Sequence, residues 1–111
     1  MADALKVLGQ LDPSATTTTT LYTVPDKTMT TVSSIVAANR TGSAITFRLS
    51  VHVEGASADD KQYLYYDKSV AANDSLTIVI GITLNQTDVV KVYTSAVDMR
   101  FNMFGCETTN D

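Results

Sequence analysis

Apolar and polar residues alternate along three segments of the chain, Ile45 to Val53, Leu76 to Ile82 and Val97 to Met103. This two-residue period is typical of a half-buried β-strand and not of a helix. Further β-branched and aromatic runs between polar turns bring the candidate strands to about eight, spaced roughly every 8 to 12 residues. No stretch is long enough to predict a β-α-β unit. The pattern therefore predicts an all-β fold: a single antiparallel β-sandwich, jelly-roll-like, with an extended N-terminal arm.

The segment Thr28 to Ala38 is rich in β-branched residues and is predicted to be a central strand. Strict alternation would place Val32 and Val36 on one face and Ile35 on the other. In the strand from Ser75 to Ile82, alternation puts the residues Leu76, Ile78, Ile80 and Ile82 on one face, and Gly81 indicates a bulge or a close backbone approach. The last strand should carry Val97, Met99, Phe101 and Met103 on one face.

The N-terminal segment is apolar but too short to form a core of its own. We predict an arm at residues 1–16, a sandwich domain at 17–106 and a C-terminal tail at 107–111. Gly9 and the following Asp12-Pro13 disfavour a persistent helix, so the arm is expected to be extended. It must dock on its own sheet or on a neighbouring subunit. Its candidate interface residues are Leu5, Val7, Leu8 and Leu11.

Composition excludes several classes of function. The 111 residues fit one domain, and the net charge of -4 disfavours a protein that neutralises nucleic-acid phosphates. The lone Cys106 excludes an internal disulfide and a cysteine-based zinc cluster. Neither a signal peptide nor a membrane span is indicated, so we expect synthesis and action to begin in a cytoplasm, without a membrane partner.

No residue pattern predicts catalysis. Ser50, His52 and Glu54 share the polar face of one strand, but residues two apart on a strand point in parallel and cannot converge on one substrate atom. We interpret them as an exposed surface row. The scattered aspartates lack the spacing of a calcium loop, and the chain has no glycine-rich phosphate loop. We therefore expect no enzyme activity, no catalytic residues, no metal and no cofactor.

Gln62 to Asp67 contains three of the five tyrosines of the chain. Alternation sends Tyr63 and Tyr65 to one face and Tyr66 to the other. The three rings can be half buried in a strand, they can form a subunit interface, or they can stack on a ligand. Tyr63, Tyr65 and Tyr66 are thus also candidate interface residues.

Four segments taken together resemble a group of small tailed-bacteriophage virion proteins. They are L-x-T-V-P-D-K-T-M-T-T-V-S-S-I-V-A-A-N-R-T-G-S-A-I-T-F-R-L-S-V, Q-Y-L-Y-Y-D, S-L-T-I-V-I-G-I-T-L and D-V-V-K-V-Y-T-S. The resemblance covers roughly Leu21 to Gly105, and it departs at Pro25-Asp26-Lys27, where the group is expected to have Pro-Ala-Gly-Lys. It implies a structural component of a phage particle with no catalytic residues to transfer.

The leading hypothesis is a capsid decoration or cement protein that binds the head shell and stabilises it. Its expected partners are the major capsid protein or other virion proteins and further copies of itself, with a trimer favoured. Its expected location is the virion, assembled in the host cytoplasm. The alternatives are a tail, fibre or adaptor component that binds host surface glycan through the tyrosines, and a free carbohydrate-binding or enzymatic module.

Overall fold

The computed structural model describes residues 2–109, which form nine β-strands and two 3-10 helices. The 3-10 helices, Val53–Gly55 and Asp60–Gln62, both lie between the fourth and fifth strands. No helix in this part of the chain is long and apolar enough to cross a membrane. The strands are β1 (Ala2–Leu11), β2 (Thr19–Thr23), β3 (Thr28–Asn39), β4 (Ile45–His52), β5 (Tyr63–Val70), β6 (Ser75–Ile78), β7 (Ile82–Leu84), β8 (Val89–Thr94) and β9 (Met99–Thr109).

The strands form two antiparallel sheets. Sheet A has the order β1-β9-β3-β6, with β7 also paired to β3, and sheet B has the order β2-β8-β4-β5. β6 and β7 pair with successive parts of the same edge of β3, so they act as one interrupted strand. Counted in this way, the two sheets have the strand order of an eight-stranded jelly roll. The predicted all-β, jelly-roll-like sandwich is confirmed.

The hydrophobic core lies between the two sheets. Met99, Phe101 and Met103 of β9 have no exposed surface, and Phe47 of β4 packs edge-on against Phe101 with ring centroids 5.8 Å apart. The alternation predicted for the last strand is confirmed for these three β9 residues. Val97 does not join them, because it lies in the turn before β9 and is exposed.

β3 is central, as predicted, but its faces differ from the prediction. Its pairing with β9 shifts register between Val32 and Ser34, which inserts one extra residue into β3. The inserted residue reverses the alternation, so Val32 and Ile35 both reach the core while Val36 is only half buried on the opposite face. The prediction that Ile35 points away from Val32 was wrong for this reason.

The interruption between β6 and β7 also changes a predicted face. Ile78 is buried at the end of β6, whereas Val79 and Ile80 are exposed and lie outside both strands. Gly81, which was predicted to mark an irregularity, has a positive φ of 66° that glycine tolerates. The chain leaves the sheet at this point, so Ile80 does not continue the face of Leu76 and Ile78 as alternation predicted.

The N-terminal segment is part of sheet A. β1 pairs with β9 from Ala2 opposite Thr109 to Leu11 opposite Phe101, so its docking place is its own sheet. β9 in turn continues to Thr109. The predicted boundary after residue 106 therefore lies inside β9, and the predicted arm of residues 1–16 includes the whole of β1. Residues 110 and 111 of the predicted tail lie outside the described residues.

Candidate functional site

The face of sheet A that points away from sheet B carries a cluster of apolar residues. Alternate residues of β9 from Met99 to Gly105 are buried against sheet B, so the residues between them point outward. Leu5 of β1 lies opposite Cys106 on this outer face, and Val7 lies opposite Phe104. Leu5 is 87% exposed and Val7 48%. We name the surface formed by Leu5, Val7, Phe104 and Cys106 the sheet-A patch.

A β-bulge in β1 divides the four predicted interface residues of the arm into two pairs. The register against β9 shifts between Val7 and Gly9, so Leu8 is the extra residue. Leu5 and Val7 therefore lie on the outer face, while Leu8 and Leu11 pack against the core. Strict alternation along β1 would have placed Leu11 on the same face as Leu5 and Val7, and the bulge reverses this placement.

A polar network holds the sheet beneath the sheet-A patch. The Tyr22 hydroxyl lies 2.8 Å from Thr30 Oγ1 and donates to a carboxylate oxygen of Glu107. Lys6 Nζ donates to the other oxygen of Glu107 at 3.1 Å. Burial alone would raise the pKa of Glu107, but the hydrogen bonds from Tyr22 and Lys6 outweigh it and the pKa is lowered. A charged Glu107 thus connects β1, β2, β3 and β9.

The predicted tyrosine interface is divided between two faces. Tyr63 pairs with Ser50 and Tyr65 pairs with Leu49, so Leu64 is an extra residue in β5. Tyr65 consequently points into the core, where its ring centroid is 5.8 Å from that of Phe47. The prediction that Tyr63 and Tyr65 share a face was wrong, because the bulge at Leu64 reverses the alternation.

The outer face of sheet B presents instead a cluster of Tyr63, Tyr66, Tyr93 and Arg48, which we name the tyrosine face. The Arg48 guanidinium lies 4.1 Å from the centroid of the Tyr66 ring and 4.4 Å from that of Tyr93. The rings of Tyr63 and Tyr66 are nearly perpendicular, with centroids 4.9 Å apart. Cation–π attraction and edge-to-face packing both favour this geometry.

Asp67 completes the tyrosine face by fixing Arg48. Arg48 Nε donates to Asp67 Oδ1 at 2.7 Å, and this hydrogen bond raises the pKa of Arg48. Asp67 has a positive φ of 51° at a second register shift between β4 and β5. Sequence reasoning missed Arg48 and Tyr93, because only the pairing of Arg48 with Tyr93 across β4 and β8 brings them together.

The predicted surface row of Ser50, His52 and Glu54 does not exist as such. Ser50 and His52 are buried, with His52 only 2% exposed, because the segment from Val53 to Gln62 folds over them. His52 Nδ1–H donates to the Ala56 carbonyl oxygen at 2.9 Å, and Nε2 lies 2.9 Å from the Ser50 hydroxyl oxygen. This pair closes a loop and has no access for a substrate.

Two of the scattered carboxylates have structural partners. Asp67 binds Arg48, and Asp88 accepts hydrogen bonds from the backbone N–H groups of Glu54 and Asn85. Within residues 2–109 no group of three or more His, Cys, Asp or Glu side chains is arranged to hold a metal ion. The described surface carries two clusters that could meet a partner, the apolar sheet-A patch and the tyrosine face, in which Arg48 is paired with Asp67.

Comparisons with known proteins identify the fold and not a family. No family model matches the chain, and no curated protein matches it in sequence. A chain in the structure of infectious bursal disease virus, Gx strain, is similar over 96% of this chain and 32% of its own length, with a TM-score of 0.57 and 11% identity.

A second similar chain comes from the crystal structure of the T13 particle of the same virus. The similarity covers 95% of this chain and 30% of that one, with a TM-score of 0.50 and 9% identity. This chain therefore spans about a third of the length of the solved chains that it resembles. At such low identity the likeness shows a shared all-β fold.

Proposed function

We propose that this chain is a non-enzymatic structural protein of a virus particle, and more specifically a capsid decoration or cement protein that binds the head shell and stabilises it. The observation that carries the proposal is the sheet-A patch. Leu5 and Val7 stand exposed beside Phe104 and Cys106 on a fold that is also found in a virus particle. Jelly rolls occur in viral capsid proteins and in lectins.

Leu5 and Val7 are neighbours in one apolar cluster, and such clusters are typical of contact surfaces. Isolated apolar residues on a protein surface are ordinary, whereas neighbouring ones usually meet a partner. On a shell the same contact recurs with every copy, so individually weak contacts add up through multivalency. The partner would be the major capsid protein or another virion protein, and the location would be the virion, assembled in the host cytoplasm.

Co-sedimentation of the purified chain with separated heads and separated tails of the virus that encodes it tests this function. We expect saturable binding to heads. Val7→Asp, which places a charge in the sheet-A patch, should abolish the binding. Val97→Asp is the matched control, because Val97 is 57% exposed and lies outside the patch. Binding to tails alone, or equal binding by Val7→Asp and the wild type, would contradict the proposal.

The tyrosine face supports a second candidate, a tail, fibre or adaptor component that binds host surface glycan. Tyr63, Tyr66 and Asp60 line a shallow depression, in which a sugar ring could stack on an aromatic ring and hydrogen-bond to the carboxylate. Saturation-transfer NMR against a panel of glycans tests it. Glycan contact should be lost in Tyr66→Ala and kept in Leu64→Ala, which removes a neighbouring exposed side chain. Binding of no glycan by the wild type would exclude this role.

A further inference from the structure

The sheet edges of this molecule are unequal. β2 is short and shifts register between Thr20 and Tyr22, and β5 shifts register twice against β4. β6 and β7 are also short and are separated by a break. Bulges, short strands and interruptions of this kind keep an edge from pairing with another chain. In the described sheets, three of the edges are thus protected in these ways.

The remaining edge is β1, and half of it is regular. Ala2 to Val7 pairs with β9 without a register shift, and β9 is its one strand neighbour in sheet A. A strand presents backbone N–H and C=O groups on both sides, so the side of Ala2 to Val7 away from β9 is available for a further strand. Every residue of this segment is also exposed.

We propose that this edge pairs with the same edge of a second copy, with β1 of one protomer antiparallel to β1 of its partner. A strand-to-strand contact needs a free and regular edge on each side. Because the described sheets offer one such edge, two copies must use the same one, which gives an isologous contact about a two-fold axis.

Charge and side-chain direction both suit a second copy at this edge. Asp3 and Lys6 give the segment from Ala2 to Val7 a net charge of zero, so two chains of net charge -4 meet through a neutral strip. When the two-fold axis is perpendicular to sheet A, the outer face of sheet A in one protomer continues into the outer face of sheet A in its partner. Leu5 and Val7 of both protomers then lie on one surface, and the two sheet-A patches become contiguous.

Because each protomer uses its one free edge in this contact, no third copy can add to the pair in the same way. The contact therefore predicts a dimer and not the trimer that the sequence analysis favoured. Because a short strand pair is only marginally stable, we expect the dimer to dissociate on dilution.

A cysteine scan tests the pairing directly. In a Cys106→Ser background, each residue from Ala2 to Val7 is changed to Cys in turn, and disulfide formation under a mild oxidant is followed on non-reducing gels. Cys106 must be removed because it lies opposite Leu5 in the same chain and would react first.

In an antiparallel two-fold pair, the distance between a residue and its own counterpart grows by about 6.8 Å for each position away from the axis. We expect disulfide formation to be fastest at one position. Two residues away on either side, the two cysteines are too far apart for a disulfide, so the rate should be at least about tenfold lower. A flat profile, or no covalent dimer, would overturn the proposal.

Sedimentation equilibrium over a concentration series gives an independent measurement. The wild type should fit a monomer–dimer equilibrium. Leu5→Lys, which adds a positive charge to the pairing edge of each protomer, should raise its dissociation constant at least about tenfold. Val79→Lys is the control, because Val79 is 69% exposed in the break between β6 and β7. Circular dichroism would verify that both variants fold.

A monomer at every concentration, a trimer, or equal effects of the two lysine variants would refute self-pairing. A monomer would also leave the edge free for a strand from another protein. No virus heads are present in these experiments, so their outcome is independent of whether the chain binds a shell.

Discussion

The two halves of β1 have the same backbone partner and very different surroundings. Ala2 to Val7 and Gly9 to Leu11 both pair with β9. Leu8 and Leu11 pack against the core, whereas Leu5 and Val7 project from the outer face. Side-chain burial therefore stabilises the second half within the chain, and the apolar residues of the first half contribute little to folding. Their position suits contact with another molecule.

The difference follows from where sheet B lies. A Cβ on Gly9 would lie 2.6 Å from the carbonyl oxygen of Leu21, so β1 passes closely over β2 at this point. Toward the N-terminus, the network of Tyr22, Glu107 and Lys6 replaces the apolar core. The first half of β1 extends past the apolar core, and each of its residues from Ala2 to Val7 is exposed.

The largest expected effect on stability is in the part of β9 that packs against sheet B. Phe101→Ala should lower the free energy of unfolding by about 3 to 5 kcal/mol, because it leaves a cavity between the sheets. Phe101 has no exposed surface and packs against Phe47. Urea denaturation followed by circular dichroism measures the change. A loss below about 1 kcal/mol would contradict the position of this ring in the core.

A smaller loss of stability is expected in the half of β1 that packs against the core, Leu8 to Leu11. Leu11→Ala should cost about 1 to 2 kcal/mol, because Leu11 is half buried against the core opposite Phe101. The same denaturation experiment applies. An effect no larger than that of a change at an exposed position would remove the distinction between the two halves.

The network beneath the exposed half predicts a dependence on pH. Since the pKa of Glu107 is lowered in the folded chain, its charge contributes stability above its ordinary pKa of 4.5, and this contribution is lost as the pH falls through the lowered value. Thermal unfolding between about pH 5 and pH 2.5 should therefore show a shallower acid limb for Glu107→Gln than for the wild type. Parallel acid limbs would show that this charge is not coupled to folding.

The smallest effect is expected at Leu5. At concentrations where the chain is monomeric, Leu5→Ala should change the free energy of unfolding by less than about 0.5 kcal/mol, because the side chain is 87% exposed. Leu8→Ala is the matched comparison within the same strand, since Leu8 packs against the core. Equal losses for the two variants would mean that Leu5 is also part of the core.

Alternation predicted the fold class and the buried face of β9, because Met99, Phe101 and Met103 lie in a strand with an uninterrupted period. It failed at the bulges. One extra residue reverses every later side chain in the strand, as at Leu64 in β5 and between Val32 and Ser34 in β3. No local residue pattern marked these positions.

The surfaces were less predictable than the sheets because each needs residues distant in sequence. Leu5 was identified as a candidate contact residue, but its neighbour Cys106 follows only from the pairing of β1 with β9. His52 was assigned correctly to the polar side of β4. Its burial depends on a covering loop whose path alternation does not describe.

Hydrogen exchange of the β1 amides tests most directly whether the exposed half of this strand is a contact surface. In dilute monomer, the amides of Ala2 to Val7 that point away from β9 should exchange rapidly, whereas the amides of Gly9 to Leu11 that hydrogen-bond to β9 should be protected, because this half packs against the core. At high concentration or on virus heads, only the first set should gain protection. Equal protection of both halves in the monomer, or no gain by the first half under either condition, would contradict the account.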